Sequence, residues 1–243
     1  MFHKYYEKEN FEDFACGRVI YNKSGVPNFP IKLGLEIFKR CLEYTNKSKE
    51  ICLYDPCCGG GYLLTTIGLL NYDTIEKIIG SDINQEPIEL AYKNLSLLTT
   101  EGLEKRKIQI ETMYNKFGKE SHFEALKSIK VFKNIINQRQ NVPTSKLFVA
   151  DAIDEKSLKQ NQFIADIIIT DVPYGNIVNW EGKEENMINV LLDRLIEVQD
   201  DNSVLAIIYN KFQKISNNRY IRLEKFKVGK RIVEILKLRG QIK

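Results

Sequence analysis

The chain has 243 residues, 43% of them apolar and 10% aromatic, which suits one large domain, or a domain with an appendage, and excludes disorder as its main state. No stretch approaches the ~18 consecutive apolar residues of a membrane span, and Met1 to Phe11 lacks a signal-peptide core, so a soluble, cytoplasmic protein with no membrane partner is expected. The net charge of +4 is unevenly spread, −4 over 51–100 and −8 over 147–210 against +5 over 101–146 and +9 over 211–243, a basic periphery around an acidic centre that suits a polyanion as well as it suits ordinary solvated surface.

Helical spacing of Leu33, Leu35, Ile37, Phe38, Cys41 and Leu42 predicts a helix from Lys32 to Tyr44. The short apolar run Ile51 to Tyr54 reads as a strand. It ends in Asp55-Pro56-Cys57-Cys58-Gly59-Gly60-Gly61, and Tyr62 to Leu70 reads as a helix, so the unit is strand, glycine-rich turn, helix. The alternation repeats with a strand at Ile75 to Ser81, a helix at Glu86 to Leu98, strands at Lys146 to Ala150 and Ala165 to Thr170, a helix at 184–198 and a strand at Val204 to Tyr209. Residues 219–226 and 231–238 flank a hairpin signal, Lys227-Val228-Gly229-Lys230, that would add an antiparallel edge. The expected fold is α/β, a mostly parallel sheet with helices on both faces. No linker separates two domains. One domain over 1–243 is expected, with an N-terminal extension and helix over 1–45 and a helical insertion over 101–145, where Phe123, Leu126, Ile129, Phe132, Ile135 and Ile136 recur at helical spacing.

Chemistry gathers at the predicted strand ends. The glycine turn lacks the Gly-Lys-Ser/Thr of a phosphate loop, and its contiguous Gly59, Gly60 and Gly61 depart from the Gly-x-Gly-x-x-Gly of nicotinamide sites. Asp55 instead suits the cationic amino group of S-adenosylmethionine. Asp82, 27 residues on in Gly80-Ser81-Asp82-Ile83-Asn84, can take both ribose hydroxyls, and Asp151, in Phe148-Val149-Ala150-Asp151-Ala152, can accept the adenine amino group. The expected cofactor set is Asp55, Cys58, Gly59, Gly61, Asp82, Ile83, Asp151 and Ala152. Cys57 and Cys58 read as small buried turn residues without a nucleophilic role, since no His or Cys partner is evident; the five cysteines suit neither a disulfide framework nor a zinc site, and no metal is expected.

Thr170-Asp171-Val172-Pro173-Tyr174-Gly175 ends the fourth strand with a carboxylate, a proline-held carbonyl and an aromatic ring, which methyl transfer to a planar base requires. Asp171, Pro173 and Tyr174 are the candidate catalytic residues. Gly175, Asn176 and Trp180, the only tryptophan, are candidate substrate contacts. A guanine ring N–H has no free lone pair until its proton leaves, so the Asp171 carboxylate would assist there, whereas an exocyclic amine needs mainly orientation. Arg18 and the segment Pro27 to Pro30 could close over the cofactor carboxylate. A small-molecule methyltransferase, an RNA methyltransferase of exocyclic amines and an inactive RNA-binding module share parts of this pattern.

Residues 55–65, Ser81-Asp82-Ile83-Asn84 and Thr170 to Gly175 resemble class I S-adenosylmethionine-dependent methyltransferases. With Asn94 to Leu98, Lys116-Phe117-Gly118-Lys119 and Trp180-Glu181-Gly182 added, the chain resembles the AviRa family of 23S ribosomal RNA methyltransferases, associated with resistance to the orthosomycin avilamycin. The resemblance implies a Rossmann-like, seven-stranded, monomeric enzyme that methylates N1 of a guanine in 23S rRNA or in the large ribosomal subunit. Gly60 and the uncharged loop Asn176 to Asn179 depart from the family pattern.

Overall fold

The computed structural model describes residues 5–6, 9–15, 17–23, 28–139, 141–172, 184–211 and 213–240. Helix α1 (Ile31–Tyr44) leads into β1 (Ile51–Asp55), and the glycine turn joins β1 to α2 (Tyr62–Leu70). Then come β2 (Ile75–Asp82), α3 (Gln85–Ser96), α4 (Thr100–Phe117), α5 (Glu120–Asn137), β3 (Thr144–Val149), α6 (Glu155–Lys159), β4 (Ile167–Asp171) and α7 (Glu184–Leu195). Strands β5 (Val204–Asn210), β6 (Tyr220–Val228) and β7 (Arg231–Leu238) complete the chain.

The strands form one seven-stranded sheet in the order β3-β2-β1-β4-β5-β7-β6. The first five pair in parallel, and β7 runs antiparallel to both β5 and β6. The mostly parallel sheet and the antiparallel C-terminal edge are therefore both present. The edge is a hairpin whose later strand lies inside, between β5 and β6.

Alternation along the strands builds two cores. Val204, Ala206 and Ile208 of β5 join Ile167 and Ile169 of β4 on the face covered by α1 to α5. Leu205, Ile207 and Tyr209, with Ile168 and Tyr54, face Ile188, Leu191, Leu192 and Leu195 of α7 and Leu158 of α6. Because β4 and β5 feed both cores, they carry no polar face, which is why they read as continuous apolar runs. Helix α6 was not anticipated from the sequence; Asp154 starts it by accepting the N–H groups of Lys156 and Ser157 at 3.1 and 3.0 Å.

The insertion holds two helices. Thr99 caps α4 by accepting the Gly102 N–H at 3.0 Å, and Gly118, at φ 60°, ends it and reverses the chain into α5. Helices α4 and α5 pack as an antiparallel pair, rooted where Arg139 donates to the carbonyls of Leu98, Gly68 and Leu69 near the C-terminal end of α2. From that root the pair rises toward the carboxyl ends of the parallel strands.

Candidate active site

The strand order reverses between β1 and β4, and open α/β sheets bind ligands at the carboxyl ends of the strands at such a point. Asp55 and Asp171 end these two strands. The glycine turn that follows Asp55 is fixed by its neighbours. Cys58 N–H donates to the Ser81 carbonyl at 2.9 Å, Gly61 N–H to the Cys58 carbonyl at 2.8 Å, and Gly59 N–H to the Asp82 carboxylate at 3.1 Å. Gly61 adopts φ 72°, and a Cβ there would stand 2.9 Å from that of Ala91 on α3, so torsion and packing both exclude a side chain. At Gly59, φ 50°, nothing lies within 4 Å of where a Cβ would sit, and the bare backbone faces open space.

Asp55 is 3% exposed and accepts the Cys57 N–H at 3.0 Å. Burial pushes its carboxyl up to about 7; the Cys57 N–H and the nearby Thr170 hydroxyl pull it down, and the Asp171 and Asp82 carboxylates push it further up. Among the described residues no Lys or Arg forms an ion pair with it. Such a group gains its full ionisation when a cation arrives. Burial likewise raises the thiols of Cys57 and Cys58 far above the ordinary range, so both are held as uncharged turn residues.

Asp55, Cys58, Gly59 and Asp171 lie together on the wall of a cavity of about 580 Å³, within the range of small-ligand sites. Gly61 supports the turn behind that wall. Asp82 adjoins it through Gly59, its second oxygen accepting the Asn84 N–H at 3.0 Å, with Ile83 half exposed beside it. Asp151 and Ala152 lie off this wall, at the end of β3, which is tied to β2 by the Ala150 N–H to Asp82 carbonyl bond of 3.0 Å; Asp151 accepts the Ile153 N–H at 3.1 Å. Pro173, Tyr174, Gly175, Asn176 and Trp180 lie outside the described residues, as does Pro27.

The remaining walls include Asn28 and Phe29, from the segment Pro27 to Pro30 expected over the cofactor, and residues to which the sequence pattern gave no role in the site. Tyr21 to Lys23, Asn28 and Phe29 line the cavity from the N-terminal side, and Asn94 lines it from α3. The Asn94 side chain accepts the Tyr21 N–H at 2.8 Å and donates to the carbonyls of Tyr21 at 3.1 Å and Gly60 at 2.8 Å, stapling this segment to the glycine turn. Its signal was present: an asparagine on the buried stripe Ile88, Ala91, Leu95 must be satisfied internally. Arg106 of α4 donates to the carbonyls of Val19 and Arg18 at 2.8 and 3.1 Å and lies over the Tyr21 ring, whose hydroxyl donates to Gln109 at 2.8 Å. Lys23 pairs with Glu86 at 2.8 Å across the rim. Arg18, expected over a cofactor carboxylate, instead pairs with Glu12 at 2.5 Å and stays off the cavity wall, because the carboxylate of the preceding turn captures it first. Arg231, the first residue of β7, brings its Nε to 3.6 Å from Asp171 and stands over the Phe29 ring at 5.4 Å.

Comparison with known proteins places this geometry. A Streptomyces viridochromogenes protein named 23S rRNA (guanine(2535)-N(1))-methyltransferase is 33% identical over 228 residues, 93% of this chain and 91% of that protein. The solved structure of rRNA methyltransferase aviRa from Streptomyces viridochromogenes superposes with a TM-score of 0.88 at 32% identity, covering 98% of this chain and 96% of that one. A class I S-adenosylmethionine-dependent methyltransferase from Listeria monocytogenes, described as putative in its own name, is 17% identical with a TM-score of 0.51 over 88% of this chain and 62% of that one, a likeness of fold alone. The family model for rRNA methyltransferase AviRa matches residues 1–231, so a sheet that gathers acids at its β1/β4 reversal and walls them with an N-terminal segment is here that of a chain belonging to the AviRa family of rRNA methyltransferases.

Proposed function

We propose that the protein methylates N1 of a guanine in 23S rRNA, using S-adenosylmethionine, in the cytoplasm. The observation that carries the cofactor assignment is Asp55: a buried carboxyl, without an ion-pair partner among the described residues, on the wall of a cavity of about 580 Å³ that it shares with Asp171. A ligand ammonium supplies the missing cation, so the donor set fits the amino-acid end of this cofactor. When bound, the cofactor supplies an electrophilic methyl group.

The chain's own residues divide the rest. Asp55 holds the ammonium, with Cys58, Gly59 and Gly61 forming the backbone cradle; Asp82 and Ile83 hold the ribose, and Asp151 with Ala152 the adenine edge. Asp171 accepts the N1 proton of guanine, and the guanidinium of Arg231 lies 3.6 Å from its carboxylate. Pro173, Tyr174, Gly175, Asn176 and Trp180 hold the extruded base. The relative's name, which specifies guanine N1, supports a ring nitrogen as the acceptor. On this reading the molecule works as one domain over 1–243, with 1–45 and 101–145 as an extension and an insertion that serve its rim, and an avilamycin-resistance role follows from the family.

The test is transfer of labelled methyl to 23S rRNA, 16S rRNA and transfer RNA in parallel, followed by nucleoside digestion. Label on 23S rRNA recovered as 1-methylguanosine supports the proposal. Recovery as an exocyclic N-methyl nucleoside would overturn the ring-nitrogen assignment and the proton-acceptor role of Asp171; no label on any RNA despite cofactor binding would overturn the RNA assignment.

A further inference from the structure

The α4–α5 pair ends in a cluster that the cavity does not use. Only Gly118 and Lys119 separate Phe117, the last residue of α4, from Glu120, the first of α5. Phe117 is 56% exposed and Phe123 40%. Tyr114 lies 5.9 Å from the Phe123 ring, and His122 lies 6.4 Å from that of Phe117. Lysines surround them: Lys116 and Lys119 stand 5.2 and 6.0 Å from the Phe117 ring, and Lys127 stands 4.5 Å from that of Phe123. Lys127 also pairs with Glu124, whereas neither Lys116 nor Lys119 forms an ion pair among the described residues.

Ring contacts across the pair, Tyr114 with Phe123 and Phe117 with His122, join the two helices at the tip, yet they leave both phenylalanines exposed. The buried residues, Leu103, Ile110, Ala125, Ile129, Phe132 and Ile136, lie farther down the pair, and the two phenylalanines continue beyond them into solvent. The position is also specific. Gln109 is bonded to Tyr21 at the cavity rim, and Phe117 follows eight residues later on the same helix, so the tip lies about 12 Å farther along the helix than this bond at 1.5 Å per residue. From 116 to 133 there are five lysines against two glutamates. Exposed aromatic faces interleaved with uncommitted cations are the chemistry that grips unpaired RNA: rings stack on splayed bases while ammonium groups neutralise the flanking phosphates.

We propose that this tip is a second RNA-docking site, separate from the methyl-transfer cavity, in which Phe117 stacks on an unpaired base and Lys116 and Lys119 hold the phosphates on either side. The inference rests on the reading of the substrate as ribosomal RNA and adds to it a substrate requirement. The preferred RNA presents a looped or bulged segment displaced from the target guanine, and a minimal stem-loop carrying only that guanine docks poorly.

The experiment compares the full chain with Phe117→Ala, Phe117→Trp and the double variant Lys116→Ala/Lys119→Ala. Binding to a 23S rRNA transcript is measured across a salt series, together with KM and kcat for methyl transfer, cofactor affinity and the urea unfolding midpoint. Phe117→Ala is expected to weaken RNA binding at least about fivefold and to raise KM with kcat and cofactor affinity unchanged, while Phe117→Trp keeps wild-type affinity. The double lysine variant is expected to lower the slope of log K against log salt by about 1.4. Wild-type binding by both variants would overturn the proposal, as would weakened binding with an unchanged salt slope, which would indicate that Lys116 and Lys119 hold no phosphates. Because binding is read without turnover, a failure of methyl transfer in the wild type overturns the proposed activity and leaves this comparison decisive.

Discussion

Asp55→Asn isolates the most costly group in the cavity. Asparagine keeps the size of the side chain and an oxygen for the Cys57 N–H, and it removes the titration. In the native protein the Asp55 carboxyl is raised to about 7, with burial as the largest cause, whereas in the unfolded chain it returns to about 3.9. A native pKa above the unfolded one means that the native state binds the proton more tightly. Stability contributed by this group is therefore full below about pH 4, falls as pH rises, and is lost above about pH 7. The gap corresponds to roughly 4 kcal/mol, which asparagine does not incur. Urea unfolding of both proteins without cofactor, at pH steps from 4 to 8, reads the effect as a difference in which other titrations cancel. Relative to its value at pH 4, that difference is expected to favour the variant by roughly 1 kcal/mol at pH 5 and roughly 4 at pH 8. A difference that stays constant within about 0.5 kcal/mol across this range would refute the reasoning, because Asp55 would then have the same pKa folded and unfolded. The cofactor gives a second reading of the same group: wild-type affinity should rise between pH 5 and 7 as the carboxyl ionises, and the variant's should be weaker and flat.

Asp171→Asn is expected to lower kcat by at least about a hundredfold while cofactor affinity stays within a few-fold, as equilibrium binding would record; lost cofactor binding would show that the residue is misassigned. Gly61→Ala forces a side chain into φ 72° against Ala91 and is expected to cost about 2 kcal/mol in urea unfolding, and an unchanged midpoint would mean that the turn relaxes freely. Asn94→Ala leaves the backbone groups of Tyr21 and Gly60 without their side-chain partners; it should cost about 2 kcal/mol and weaken cofactor binding more than Gln109→Ala does, and equal effects in calorimetry would remove the staple from the site. Replacing Lys227 and Lys230 at the β6–β7 turn by alanine should lower the salt slope of RNA binding, and an unchanged slope would make the hairpin's charge plain surface.

What could be read in advance follows from how local each signal is. Strand ends were legible because a parallel strand buried on both faces is a continuous apolar run, and a carboxylate that interrupts such a run stands out: Asp55 and Asp171 each terminate one. The glycine turn was legible because its conformation demands glycine at fixed positions. The segment Pro27 to Pro30 was placed over the site and Asn94 stands out as a polar residue on a buried stripe, but the rest of the N-terminal wall and the partners that fasten it could not be read this way. Tyr21, Asn94, Arg106 and Gln109 meet across sequence separations of 73 to 88 residues through bonds to main-chain atoms or single side chains, and such bonds leave no periodic trace. Arg18 failed for a related reason: the sequence marks a cation near the site, and in the folded chain Glu12 holds it. The second insertion helix hung on one residue, Gly118, whose left-handed torsion turns one long amphipathic stretch into a pair.

The distribution of charge acquires a physical meaning from where the groups sit. An acidic centre that repels polyphosphate would defeat an RNA enzyme if its carboxylates acted at full strength at the surface. Asp55 does not, because burial keeps it partly protonated near neutral pH, and the Asp171 charge lies 3.6 Å from Arg231. The exposed lysines of the insertion tip and of the β6–β7 turn stand in solvent, where a charge reaches about 8 Å at physiological ionic strength. On the proposed function, attraction of RNA falls to these exposed lysines, felt first and weakened by salt, and recognition of a small cation falls to the floor, felt only after desolvation. A cationic ligand on that floor would ionise Asp55 and pair it at once, so its arrival adds no net repulsion to the approach of the nucleic acid. On that proposal the same sheet holds a cation-binding pocket of acids beneath a polyanion-binding edge, because burial separates the two by dielectric as well as by distance.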